Sequence, residues 1–262
     1  MLDYLEALAK TNVIEEAWSL HCAKMAEYGF DRLIYAYTLF GTATSVGPRE
    51  DALILSNHPA AYFKQYIEDE HYLHAPLTQW ALHNFGARSW SVIGDEYDQM
   101  GPQERAVVDL NRKSGVLAGY AISFRNSRSR ARGIIALTAK PGLSQRDVNA
   151  LWERHGREIS VICNMAHLKF TTLPHTSARD QLSPKQKEVL EWVADGKSNL
   201  DVATILGRSL GTVEKHLRLI REKLGVETTA QAVLKASFQN QFFIVQTKGL
   251  TGSARAENAL KG

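Results

Sequence analysis

The chain is poor in cysteine, with only Cys22 and Cys163 among 262 residues. Two thiols make no disulfide framework, and these two show no metal-ligand spacing. Long apolar runs are also missing. The longest, Val116 to Phe124, admits Gly119, Tyr120 and Ser123 and still reaches only about half the length of a membrane-spanning helix. The opening MLDYLEALAK is acidic and amphipathic, without the basic-then-apolar order of a secretory signal. No G-x-S-x-G elbow and no phosphate-binding loop occurs. These absences argue against an enzyme, a membrane protein and a secreted disulfide scaffold, and predict a cytoplasmic protein. What is present is ordinary for a folded chain: 44% hydrophobic, 23% charged and 9% aromatic residues. That balance excludes wholesale disorder and low complexity. The length fits one large domain or two modest ones.

Charge is unevenly placed. Net charge is +3, yet residues 182–262 hold 12 Lys and Arg against 8 Asp and Glu, and residues 1–181 hold 19 against 20. The basic excess belongs to the last third. A basic end on a near-neutral body fits nucleic-acid binding, and a solvated face fits it equally well.

The stretch TTLPHTSARDQ, residues 171–181, is polar, contains a proline and has no apolar period, as expected of a linker. Residues 246–262 are rich in Gly, Ala, Lys and Ser and are predicted to be a disordered tail. Between them, 182–245 forms a second domain, behind a first domain of 1–170. In the first, helical pattern occurs near 2–9, 15–28, 60–70, 76–84, 102–113 and 144–170, with Ser144 placed to cap the last. Strand-like runs are 33–40, 52–56, 87–92, 117–124 and 133–139. The last two flank the charged loop RNSRSRAR and predict an antiparallel hairpin. The fold class expected is α+β: a helix–sheet–helix sandwich with a central antiparallel sheet, joined to an all-α domain.

In that second domain, Ser183-Pro184-Lys185-Gln186 reads as a capping-box start, and Gly196 ends the first helix. A short helix over 199–206, a turn at Gly207-Arg208-Ser209 and a longer helix over 210–224 make a helix-turn-helix pattern, followed by a fourth helix from Thr228 to about Asn240. Val213, Leu217, Ile220 and Leu224 form the inward stripe. Gly211, Glu214, Lys215, Arg218 and Glu222 occupy the opposite face. Gly211 allows close backbone approach, and Lys215 and Arg218 supply charge for a major groove. Glu214 either accepts from a cytosine amine or pairs with Arg218 at i,i+4. The plain alternative for the whole segment is a helical bundle with solvated charges.

The segment LSPKQKEVLEWVADGKSNLDVATILGRSLGTVEKHLRLIREKLGV resembles the DNA-binding domain of LuxR-type transcription regulators over about 60 residues. Matching pieces include Glu188-Val189-Leu190, Gly196-Lys197-Ser198-Asn199, Thr212-Val213, His216 and Lys223-Leu224. One departure is Gln186, where the family usually carries Glu. The resemblance implies base contact from Glu214, Lys215 and Arg218, and phosphate contact from Lys197, Ser198, Thr212, His216 and Lys223.

The first domain resembles, on fewer positions, the autoinducer-binding domain of quorum-sensing receptors. The family holds an acyl-homoserine lactone with a Trp, a Tyr, an Asp and a second Trp. Tyr62 and Tyr66 stand at the first two of these positions and Trp90 at the last, on the strand after Pro76; Gly119 matches a family glycine. Ala75 stands where the Asp belongs. Losing that carboxylate removes an acceptor for the ligand amide, roughly tenfold to a hundredfold in affinity, and makes the site kinder to apolar or neutral ligands. Three readings stay open: a different small molecule; an acyl-homoserine lactone on another acceptor, with His74 or Glu70 as candidates; or no ligand and a purely dimerising domain. Plain core packing is the bland account of the three aromatics.

The function expected is a homodimeric regulator binding double-stranded DNA at a near-palindromic site. It would be controlled by a small-molecule signal, with no other cofactor, no metal and no membrane partner. A phosphorylated receiver would need an early acidic pocket, which Asp3 and Glu6 do not form. A protein that only blocks a partner is disfavoured by the complete recognition helix. The trio His71, His74 and His83 matches no strong metal pattern.

Overall fold

In the computed structural model, which describes residues 1–125, 128–175 and 181–242, side-chain alternation along five strands sets the layering of the first of two units. That unit, Met1–His175, runs α1 (Leu2–Lys10), α2 (Ile14–Glu27), β1 (Phe30–Thr38), β2 (Ala52–Ser56), α3 (Ala60–Phe63), α4 (Pro76–His83), β3 (Gly86–Ser89), α5 (Ser91–Asp95), α6 (Pro102–Lys113), β4 (Gly119–Ser123), β5 (Arg132–Ala139) and α7 (Gln145–Phe170). The strands form one sheet in the order β2-β1-β5-β4-β3. Every pairing is antiparallel, with Ile34 opposite Ala136 and Ala136 opposite Ala121. This is the expected helix–sheet–helix sandwich.

Odd and even positions part company across the sheet. Leu33, Tyr35, Tyr120, Ile122, Ile135 and Leu137 are buried in one cluster with Met25 of α2 and Ile159, Ile162 and Phe170 of α7. Their neighbours Ile34, Ala36, Ala121, Ile134 and Ala136 line a cavity on the other face, roofed by α3 to α6. The long helix α7 starts where Ser144 accepts from the Asp147 N–H, while the Asp147 carboxylate takes the Ser144 N–H at 2.9 Å. Leu173, within the stretch expected to be linker, is buried in this unit's core.

Two expectations need correcting. Residues 60–70 are not one helix. The α-helical hydrogen bonding of α3 stops at Phe63, a wider π-turn follows over Lys64–Glu68, and Glu70 adopts a left-handed φ of 60°. With that wider turn Tyr66 and Ile67 both line the wall of the cavity on this side of the sheet. Pro76, without an N–H, then opens α4 at a position where none is needed. Nor does Trp90 lie on a strand: β3 ends at Ser89, and Trp90 is the N-cap of α5.

The second unit, Thr176–Gly262, is helical where described: α8 (Pro184–Ala194), α9 (Asn199–Ile205), α10 (Leu210–Leu224) and α11 (Thr229–Phe238). Ser183, Ser198, Ser209 and Thr228 each cap the helix that follows by accepting a backbone N–H. Val189, Leu190, Val202, Ala203, Val213, Leu217, Ile220, Leu224, Ala232 and Ala236 close the core. The Leu182 N–H donates to Gln241 Oε1 at 2.8 Å and ties the ends of the unit together. The expected tail, 246–262, and residues 176–180 of the expected linker lie outside the described residues.

Candidate ligand cavity and nucleic-acid interface

The cavity of the first unit has a volume of about 110 Å³ and a mainly apolar wall. Its floor follows β5 from Arg132 to Thr138, six residue steps or roughly 20 Å at the rise of a strand. Small side chains make the room: Ala36, Ala136 and Ala121 stand where bulkier residues would meet the roof.

The Thr138 end is polar but uncharged. His58, Tyr62 and Tyr66 stack in series, with ring centroids 4.7 Å and 5.3 Å apart. The Tyr62 hydroxyl donates to Asn111 Oδ1 at 2.8 Å. Burial raises the Tyr62 phenol above its ordinary range and the Tyr66 phenol to about 12, the latter offset by a hydrogen bond with Thr78. Burial likewise pushes the His58 imidazole down to about 4, with Arg32 adding to the effect, so the ring is neutral near pH 7. His58 Nε2 lies 3.4 Å from Thr138 Oγ1, while His58 Nδ1 and the Trp90 indole N–H are buried with no partner.

Tyr62, Tyr66, Ala75 and Trp90 all line this cavity. Gly119 does not. A Cβ there would lie 2.2 Å from the Leu137 carbonyl oxygen and 3.0 Å from the Trp90 ring, so the missing side chain seats Trp90 against β4. The Trp90 N–H completes that seat by donating to the Gly119 carbonyl at 3.1 Å. Glu70 and His74, weighed as substitute acceptors, are exposed and outside the lining. His58, Asn111, Arg49 and Arg132 were missed from sequence. Strand alternation offered a signal only for Arg132, which shares a face with Ile134 and Ala136.

In the second unit α9, the turn at Leu206–Ser209 and α10 form the expected helix-turn-helix. Val213, Leu217, Ile220 and Leu224 are buried, and Glu214, Lys215 and Arg218 are exposed. A Cβ on Gly211 would meet nothing, so the fold itself does not require that glycine. Arg218 Nη1 pairs with Glu222 Oε1 at 2.7 Å, not with Glu214. Both side chains are 56% exposed, and such solvent-facing pairs exchange readily for a phosphate or base. Lys197 is exposed, whereas Thr212, His216 and Lys223 are half-buried. The Ser198 hydroxyl donates to Asp201 Oδ2 at 2.6 Å and caps α9, and Thr212 Oγ1 lies 2.9 Å from Ser209 Oγ.

Comparison with known proteins follows the same division. Residues 14–170 match the autoinducer binding domain family, and residues 180–236 match the family of bacterial regulatory proteins of the luxR type. The transcriptional activator protein LuxR of Aliivibrio fischeri is 22% identical over 244 residues, covering 90% of each chain. The transcriptional activator protein VanR of Vibrio anguillarum is 26% identical over 216 residues, 79% of this chain and 85% of its own. Among solved structures, Escherichia coli SdiA superposes with a TM-score of 0.50 at 16% identity, over 90% of this chain and 95% of that one, a likeness of fold.

Proposed function

We propose, from the premise that this chain belongs to the LuxR family of regulators and joins an autoinducer-binding domain to a helix-turn-helix, that it is a homodimeric, signal-controlled transcription factor whose signal differs from the standard acyl-homoserine lactone. It is a DNA-binding regulator rather than an enzyme. The observation that carries the signal reading is Ala75: it faces an apolar cavity whose described lining contains no carboxylate. A ligand amide N–H therefore has no charged acceptor there, and Tyr62, Tyr66, Ala75 and Trp90 would contact the signal through rings and shape.

On the DNA side, Lys215 and Arg218 would read bases from α10, with Glu214 beside them, while Lys197, Ser198, Thr212, His216 and Lys223 would hold phosphates. Two copies would place their α10 helices in successive major grooves of a near-palindromic site. Support for a dimer comes from α7. Val161, Met165 and Leu168 recur at four- and three-residue steps and are 47%, 43% and 58% exposed, an apolar stripe suited to a second copy.

Mass spectrometry of small molecules co-purifying with the full chain tests the receptor reading. A bound species without an acyl-homoserine lactone core is the expected result, and a stoichiometric acyl-homoserine lactone would overturn it. In mobility-shift assays, Arg218→Ala should abolish sequence preference while leaving weak, salt-sensitive binding. Unchanged selectivity would mean that α10 does not read bases.

A further inference from the structure

The cavity carries charge at one end only. Of its lining residues two are permanently charged, Arg49 and Arg132, and both are cationic. They lie at the same end of the strands: Arg132 opposes Thr38 on β1, Thr38 opposes Ala52 on β2, and Arg49 lies just before Ala52. Among the described residues neither has a carboxylate within ion-pairing distance. The Arg132 guanidinium meets only carbonyls, donating from Nη1 to Ser129 O at 2.7 Å and Ala131 O at 2.9 Å and from Nη2 to Thr42 O at 3.3 Å. Its Nε is buried without a partner. Carbonyl dipoles orient a guanidinium but leave its charge uncompensated, and partly buried charges are ordinarily paired.

In sequence Arg125, Arg128 and Arg130 lie just before Arg132 and add cations, against Glu50 and Asp51 after Arg49. A rim with more cations than acids favours anions at the site. At Ala75 the chain lacks a side chain that would repel an anion deeper in the cavity. Between the arginines and the ring stack the floor is aliphatic, formed by Ala36, Ile134 and Ala136.

We infer that the signal is an amphiphilic carboxylic acid. Its carboxylate is held by Arg49 and Arg132, and its apolar body lies along β5 toward the Tyr62–Tyr66 stack. This inference rests on the reading of the cavity as the signal site. Bidentate guanidinium–carboxylate geometry supplies the recognition, and the length of the floor accommodates a chain or an arylalkyl body.

The test uses the full-length protein with octanoate, 1-octanol and N-octanoyl homoserine lactone as probes, followed by calorimetry at neutral pH. Octanoate should bind at least tenfold more tightly than octanol, the scale of one charge-assisted hydrogen bond. Arg49→Gln, at a residue whose side chain makes no hydrogen bond or ion pair among the described residues, should remove that preference while leaving octanol binding unchanged. Arg132→Gln should do the same, and circular dichroism would separate loss of binding from loss of fold. Equal binding of octanoate and octanol, or a preference that survives both substitutions, would overturn the carboxylate and leave the receptor reading standing. Tighter binding of the lactone than of octanoate would overturn both readings, as would no binding of any probe by a chain that also purifies without a small molecule.

Discussion

The two faces of one sheet follow the same alternation and receive different residues. On the α7 side, Tyr35, Leu33, Ile135 and Leu137 are completely or almost completely buried among α2 and α7. On the other side their neighbours are Ile34, Ala36, Ile134 and Ala136, around open space. A void costs contacts, and here one face of the sheet supplies the packing that allows the other to stay unfilled. Polar groups divide in the same way. On the packed face several are spent on each other, although the Trp18 indole N–H is left over: the Tyr35 hydroxyl meets His167 Nδ1 at 2.8 Å, and Tyr4 meets His21 Nδ1 at 2.9 Å. On the cavity face, His58 Nδ1 and the Trp90 indole N–H have no partner among the described residues, as groups kept for a ligand would be.

This contrast can be broken most severely from the packed side. Leu137→Ala should cost about 2–5 kcal/mol, read as a lower midpoint in urea. An Ile134→Ala loss of the same size would erase the distinction between the faces. Acid should be the next largest perturbation. Burial lowers His21 to about 3 and His167 to about 4. The unfolded chain takes up protons below about pH 6.5 and the folded chain does not, so stability is complete above that value and falls as pH drops toward 4. At pH 5 each of these histidines should cost about 2 kcal/mol, and replacing both with Gln should make the pH profile of the melting temperature shallower, with the buried His58 still contributing. Gly119→Ala would press a methyl against the Leu137 carbonyl and Trp90, at about 1–3 kcal/mol, with a shift in tryptophan fluorescence reporting the displaced ring. The smallest effect on stability, within about 1 kcal/mol, belongs to Ala136→Leu, which fills space already empty. That variant should nonetheless lose signal response in a reporter assay; a full response would mean that the signal binds elsewhere.

Much of the helix-turn-helix was legible because its determinants are local. The caps Ser183, Ser198, Ser209 and Thr228 and the stripe from Val213 to Leu224 lie within a few residues of what they control. The hairpin of β4 and β5 and the start of α7 at Ser144 were readable for the same reason. Local pattern failed where a tertiary demand overrode it. Residues 60–70 look like one amphipathic helix, yet a π-turn opens over Lys64–Glu68 where Tyr66 and Ile67 meet the cavity. Trp90 reads as part of a strand over 87–92, yet β3 ends at Ser89 and Trp90 packs against Gly119. The pairing of Arg218 with Glu222 rather than Glu214 was also a choice among rotamers that spacing alone left open.

By itself the sequence determined which residues alternate, where helices begin, and which end of the chain is basic, since each depends on covalent neighbours or on simple counting. The cavity, the meeting of Asn111 with the distant pair His58 and Tyr62, and the lack of an ion-pair partner for Arg49 and Arg132 among the described residues were decided only by the tertiary structure. Those properties depend on which distant surfaces meet and on what is left unpaired when they do, and strand register, not sequence adjacency, fixes both.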